Sequence, residues 1–181
     1  MTNALKLYRI QKQSHWTGQP APSFSRVGRW HSGGRPILYL AESPSLAVLE
    51  WIKGMMSQGL VVQEIAETRL ILLELTWELD RAGVASIDPT MLPPGWERIP
   101  NPDSVTTQQL GNAWLDQGEP LALRVPSAAL PCGYGWNVLI NSRHREYPPA
   151  FPLAHVVVQP FDLKHYLGLP ENPIISAGTE S

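Results

Sequence analysis

A single cysteine, Cys132, stands in the 181 residues, so no internal disulfide can form and a reducing compartment is expected. With no motif around it, Cys132 reads as an inert small side chain rather than a nucleophile. The chain also lacks a basic excess. Its 14 Lys and Arg against 16 Asp and Glu leave a formal net charge of −2, which argues against direct nucleic-acid binding. A small anionic ligand stays open, because a few local arginines suffice for that. No Gly-rich phosphate loop, His-Glu-x-x-His pair, Cys-x-x-Cys pair or Gly-x-Ser-x-Gly elbow occurs. The 5 histidines are spread singly, so no metal site is expected. No apolar run approaches membrane-spanning length, and the N-terminus has no basic-then-apolar signal pattern. A cytoplasmic protein without membrane contact is the expectation.

What is present supports a packed core. Hydrophobic residues make up 43% and charged residues 17%, and a chain of this length buries roughly two thirds of its unfolded surface. One domain over 1–169 is expected, with a frayed polar tail over 170–181. Leu5–Ile10 alternates apolar and polar residues and predicts a strand; Ile37–Ala41, between Gly33-Gly34 and Ser43-Pro44, predicts a buried one. Ser43 before Pro44 predicts an N-cap with proline in the first turn, Ser45 being an alternative cap, and a helix running to about Met56 and stopping near Gly59. Arg69–Trp77 predicts a central strand. The prolines between Asp80 and Asp103 forbid one long element there, leaving room for a short turn around Asp88–Leu92. A second helix is expected from Asp103 or Ser104 to Gln117, then strands over Leu121–Val125, Trp136–Ile140 and His155–Phe161, the last demoted by Pro160 to a strand end or an edge. Without regular strand–helix alternation, the fold class is α+β: a mixed sheet with flanking helices.

Polar residues beside turn signals are the candidate chemistry. Arg29, between Gly28 and Trp30, can offer a guanidinium fork to a phosphate, or be a loop arginine beside a buried Trp. Tyr39 can present its ring to a planar base, or be a core aromatic. Glu50 can stabilise an oxocarbenium-like centre from within a cleft, or pair on the surface with Lys53. Ser127, after Arg124-Val125-Pro126, can expose a hydroxyl or close a strand-end turn; Asn137, Arg143 and His144 are further polar candidates around the following strand.

Together these residues resemble the RES-domain family, from Leu7-Tyr8-Arg9 to about Phe161. The pieces are Gly28-Arg29-Trp30, Tyr39 with Ala41-Glu42-Ser43-Pro44, Leu49-Glu50, Leu92-Pro93-Pro94-Gly95-Trp96, Leu110-Gly111-Asn112-Ala113-Trp114-Leu115 and Leu123-Arg124-Val125-Pro126-Ser127. The resemblance implies an ADP-ribosyltransferase-like fold and a toxin of a bacterial toxin–antitoxin pair that consumes NAD. The nicotinamide–ribose bond would be cut by phosphorolysis or hydrolysis, with NAD as substrate, inorganic phosphate as possible co-substrate and no cofactor. A transferase modifying a macromolecule, or a binding module without turnover, are the alternatives. The family's functional residues fall on Arg29, Tyr39, Glu50 and Ser127, with Ser142 a weaker match for the serine. Arg29 would grip the pyrophosphate, Tyr39 stack on nicotinamide, Glu50 stabilise the ribosyl cation, and Ser127 support the ring or the carboxylate; Asn137, Arg143 and His144 would assist in binding. The implied partner is a helix-turn-helix antitoxin covering the site in a higher-order complex. The chain departs from the family in carrying His31-Ser32 where Asn-Pro is frequent, and Ser142 where a Pro is frequent.

Overall fold

The computed structural model describes residues 4–22, 27–78, 83–98, 104–130, 133–147 and 155–170. Cys132 and the tail beyond 170 lie outside them. Strands β1 (Ala4–Lys12), β2 (Ile37–Ala41), β3 (Leu70–Glu78), β4 (Val84–Ser86), β5 (Ala122–Pro126), β6 (Trp136–Asn141) and β7 (Val156–Phe161) form one mixed sheet in the order β4-β5-β6-β2-β1-β3-β7. Helices α1 (Pro44–Met56), α2 (Val62–Ala66), α3 (Ser104–Gln117) and α4 (Leu163–Leu167) flank it. The fold is α+β, as expected. Among the described strands only β4 and β5 run parallel to each other.

The short apolar strands are buried on both sides, which is why they read as continuous hydrophobic runs. Leu38, Leu40, Val138 and Ile140 face one core with Leu7, Leu73 and Leu75. Ile37, Leu139, Leu123 and Val125 face a second, built around Trp30, Trp96 and Trp114. β7 is an edge strand, the position in which a proline such as Pro160 is tolerated. β3 sits one strand in from that edge rather than at the centre.

Helix α1 starts as the sequence predicts. Ser43 is its N-cap, the hydroxyl accepting the Leu46 N–H at 3.1 Å, and Pro44 opens the first turn. Its buried stripe of Leu46, Ala47 and Val48 packs with Ile10 and Ile65. Among the described residues the sequence does not announce β4, α2 or α4, of 3, 5 and 5 residues, nor the 3-10 turn at Gln13–His15. Each is too short for a periodic signal, and β4 exists only through its pairing with β5. No described helix is long and apolar enough to cross a membrane.

The sheet is nearly divided in two. β1 pairs with β3 through 9 residues and β2 with β6 through 5, yet β1 and β2 share only the pair Tyr8–Ala41. The two strands part from that point, and Arg9, Arg29, Tyr39, Glu50 and Asn137 line the resulting fork.

Candidate active site

A cleft of about 310 Å³ opens at the fork, lined by residues of β1, β2, α1, the loop before β2 and the β5–β6 region. Arg29, Tyr39, Glu50 and Asn137 all line it, with Arg9, Trp30 and Trp51.

Glu50 projects from α1 and is half-buried. Its Oε1 accepts hydrogen bonds from the Ser127 hydroxyl at 2.6 Å and from Asn137 Nδ2 at 2.5 Å. Ser127 is itself fully buried, and its Oγ accepts the Ala129 N–H at 2.9 Å, which aims its proton at the carboxylate. Oε2 of Glu50 accepts no hydrogen bond among the described residues, so one carboxylate oxygen is anchored and the other is left for a ligand. Lys53 does not pair with Glu50 on the surface. Its ammonium donates instead to the carbonyls of Glu97, at 2.9 Å, and Ala128. Burial first, then the nearby Arg29 charge, lowers the Lys53 pKa.

Arg29 sits in a tight turn closed by the Gly28 N–H donating to the His31 carbonyl at 3.0 Å. Its guanidinium donates to the carbonyls of Trp96 and, at 3.2 Å, Arg98, and lies 5.9 Å from the Trp96 ring centroid. Burial pulls its pKa down, while the carboxylates of Glu50 and Glu97 oppose that shift. The turn is held from behind by α3. Thr107 Oγ1 donates to the Arg29 carbonyl at 2.7 Å, Gln108 Nε2 to the Gly28 carbonyl at 3.0 Å, and Asn112 Oδ1 accepts the Ser32 N–H at 3.2 Å. The helix comes this close because position 111 is glycine; a Cβ there would stand 1.8 Å from the Trp30 carbonyl oxygen.

Tyr39 reaches the cleft from β2. Its hydroxyl lies 2.7 Å from His31 Nδ1, and burial drives its pKa well above the ordinary phenol value. Behind these residues, Arg124 of β5 grips Glu42 at the end of β2 through two bonds, at 2.5 and 2.9 Å, while its guanidinium stacks 3.9 Å over Trp136. That clamp ties the N-terminus of α1, and so Glu50, to β5 and β6.

The structure therefore brings Arg29, Tyr39, Glu50, Ser127 and Asn137 together. It does not bring Arg143 and His144 to the cleft. Arg143 is exposed and donates to the Gly34 carbonyl at 3.2 Å, and buried His144 pairs with Glu119 at 2.8 Å. Ser142 donates to the Pro36 carbonyl at 3.0 Å and stays a loop residue.

Two contributors carried no role in the sequence reading. Arg9 lines the cleft from β1, its Nη1 donating to the Ala21 carbonyl at 3.0 Å, and no carboxylate forms an ion pair with it among the described residues. Desolvation lowers its pKa, and no described carboxylate offsets that shift. The available signal was a cation inside an otherwise apolar-alternating strand. The α3 residues Thr107, Gln108 and Asn112 were announced only by Gly111, a helix-interior glycine that marks close approach.

Residues 6–162 match the RES domain family. "Toxin Res" of Yersinia enterocolitica is 31% identical over 147 residues, covering 79% of this chain and 88% of that protein. The "Prs ADP-ribosylating toxin" of a Sphingobium species is 34% identical over 118 residues, 65% of this chain and 67% of the relative. Among solved structures, a chain of the M. tuberculosis MbcT–MbcA toxin–antitoxin complex superposes with a TM-score of 0.68 at 16% identity, covering 93% of this chain and 90% of its own, and so has the same fold. Because the matched span takes in Arg9, the Arg29 turn, β2, α1 and the β5–β6 pair, the cleft lies wholly inside it, and the chain belongs to the RES domain family.

Proposed function

We propose that this protein is the toxin of a toxin–antitoxin pair and cleaves the nicotinamide–ribose bond of NAD. The observation that carries the reading is the half-anchored Glu50 carboxylate, held by Ser127 and Asn137 in a cleft that also holds two guanidinium groups and an aromatic wall. Breaking that bond needs little acid catalysis. Nicotinamide leaves as a neutral molecule with the C–N electron pair, and the demand is to hold the dinucleotide and stabilise positive charge at the ribose carbon.

The residues divide that work. Arg9 and Arg29 neutralise the pyrophosphate. Arg9 has no protein counter-ion among the described residues, and the Arg29 turn is rigidified by α3. The Tyr39 ring stacks on nicotinamide. Glu50 turns its free Oε2 to the ribose and stabilises the oxocarbenium ion, while Ser127 and Asn137 prevent its rotation. Phosphate or water then bonds to the cation; water gives up a proton to solvent, and the products are ADP-ribose-1″-phosphate or ADP-ribose.

A second reading shares every step but the last. The cation can be captured by a protein side chain, a reading favoured by the likeness to an ADP-ribosylating toxin. The partner we propose is a helix-turn-helix antitoxin that covers the cleft in a higher-order complex, the fold being found in a toxin–antitoxin complex.

The test is to incubate purified protein with NAD, with and without inorganic phosphate, and follow nicotinamide. Phosphate-dependent release with ADP-ribose-1″-phosphate identifies a phosphorylase, free ADP-ribose a hydrolase, and a labelled macromolecule a transferase. No nicotinamide under any condition leaves a binding module and overturns the enzyme reading.

A further inference from the structure

His31 is buried to 2% exposure, beside the cleft but not in its lining. Its backbone closes the turn that carries Arg29, through the Gly28–His31 bridge, while its ring reaches across to β2. There Nδ1 lies 2.7 Å from the Tyr39 hydroxyl, with the rings 5.5 Å apart and tilted by 43°. The approach is so close that a Cβ at position 28 would stand 2.5 Å from the His31 ring and 2.6 Å from the Tyr39 hydroxyl oxygen. Glycine at 28 is thus what lets the turn and the strand be joined through these two side chains.

The direction of the bond follows from the neighbours. Burial raises the Tyr39 pKa, so the phenol keeps its proton. A hydroxyl that keeps its proton 2.7 Å from an imidazole nitrogen donates to it when that nitrogen, here Nδ1, is the unprotonated one of the tautomer.

We propose that His31 is a positioning residue of this site: its Nδ1 accepts the Tyr39 hydroxyl proton, fixing the ring as a stacking wall and locking it to the turn that carries Arg29. The consequence for chemistry is specific. Tyr39 offers the substrate a face and no proton, so it acts neither as an acid nor as a donor to the ribose. The role in turnover rests on the NAD-cleaving reading above; the hydrogen bond itself does not.

Two measurements test it separately. In protein labelled with ¹⁵N-histidine, long-range ¹H–¹⁵N correlations are expected to show His31 with an unprotonated Nδ1 and its proton on Nε2. A proton on Nδ1 overturns the proposal, whether or not the protein turns over NAD. In the NAD assay, His31→Ala is expected to lower kcat/KM by about tenfold, the value of one buried hydrogen bond, mostly through KM. His31→Asn, which keeps an acceptor near the Nδ1 position, is expected to restore most of it.

Tyr39→Phe supplies the background for a double-mutant cycle. With the hydroxyl gone, His31→Ala should cost nothing further. Additive losses, or no rescue by His31→Asn in a protein whose thermal unfolding matches the wild type, would mean that His31 merely fills space. Absence of turnover in the wild type would instead defeat the functional reading and leave the tautomer measurement to decide this one.

Discussion

Gly111→Ala isolates what holds Arg29 in place. In an isolated helix this change stabilises by about 1 kcal/mol, because alanine loses less backbone freedom than glycine. Here the new methyl would meet the Trp30 carbonyl oxygen at 1.8 Å and its carbon at 2.8 Å. The obstacle is backbone, so no side-chain rotation relieves it; α3 and the Arg29 turn must separate by more than an ångström. That separation costs about 1–3 kcal/mol as overpacking. It also stretches the Thr107–Arg29 and Gln108–Gly28 hydrogen bonds, each worth about 1 kcal/mol. Against the gain in helix propensity, the net loss is about 2–4 kcal/mol, or roughly 5–12 °C in Tm for a chain of this size. Displacing Arg29 by about 1 Å should lower NAD turnover on the order of a hundredfold.

The control is the same substitution in α1. A Cβ on Gly54 meets nothing within 4 Å, so Gly54→Ala should raise Tm by a few degrees at most and leave turnover unchanged. Differential scanning calorimetry and nicotinamide release check both variants. If Gly111→Ala melts with the wild type and keeps its activity, α3 is not the support of the Arg29 turn, and the account of that half of the cleft fails.

Three other outcomes are expected. Glu50→Gln keeps an acceptor for Ser127 but loses the charge, so turnover should fall by at least about a hundredfold with Tm little changed; retained turnover would remove Glu50 from the chemistry. Arg9→Gln deletes a half-buried cation that forms no ion pair among the described residues, so NAD binding should weaken about tenfold or more while Tm holds or rises; unchanged binding with a lower Tm would make Arg9 structural. The Tyr39 pKa is raised above its unfolded value of 10.0, so its stability contribution is complete below that pH and lost as pH climbs toward the folded value. Thermal melts around pH 9–11 should therefore fall more steeply for the wild type than for Tyr39→Phe, by up to about 1.4 kcal/mol per pH unit, and parallel curves would refute the shift.

Legibility followed sequence distance. The cap at Ser43, helix α1, the long strand β3 and the edge position of β7 were readable because each is written in adjacent residues. Arg29, Tyr39 and Glu50 lie within one loop–strand–helix stretch, and the structure turns all of them to the same cleft. Arg143 and His144 were drawn in by being polar and close in sequence to Asn137. Their bonds to Gly34 and Glu119 depend on loop packing that no local pattern encodes. Arg9 is not legible, because an arginine in a strand ordinarily faces water and nothing local says that β2 will part from β1 beyond Tyr8.

That parting of β1 and β2 is what opens the cleft. A strand paired along its whole length on both sides would have its backbone sealed by the sheet and offer no opening. β1 and β2 meet only at Tyr8–Ala41 and then part, so Arg9 and Ile10 on one arm and Tyr39 and Leu40 on the other become walls of one cleft. The register then supplies the rest: β2 pairs with β6 so that Ala41 opposes Asn137, and β6 pairs with β5 so that Pro126 opposes Trp136. Asn137 and Ser127, 87 and 77 residues from Glu50 in the chain, thereby converge on one carboxylate oxygen. A one-residue slip of β6 would turn Asn137 to the opposite face of the sheet and leave Glu50 with Ser127 alone. The cluster around Glu50 is thus a consequence of strand register at the edge of a fork, and the fork persists because each arm keeps a complete ladder on its other side.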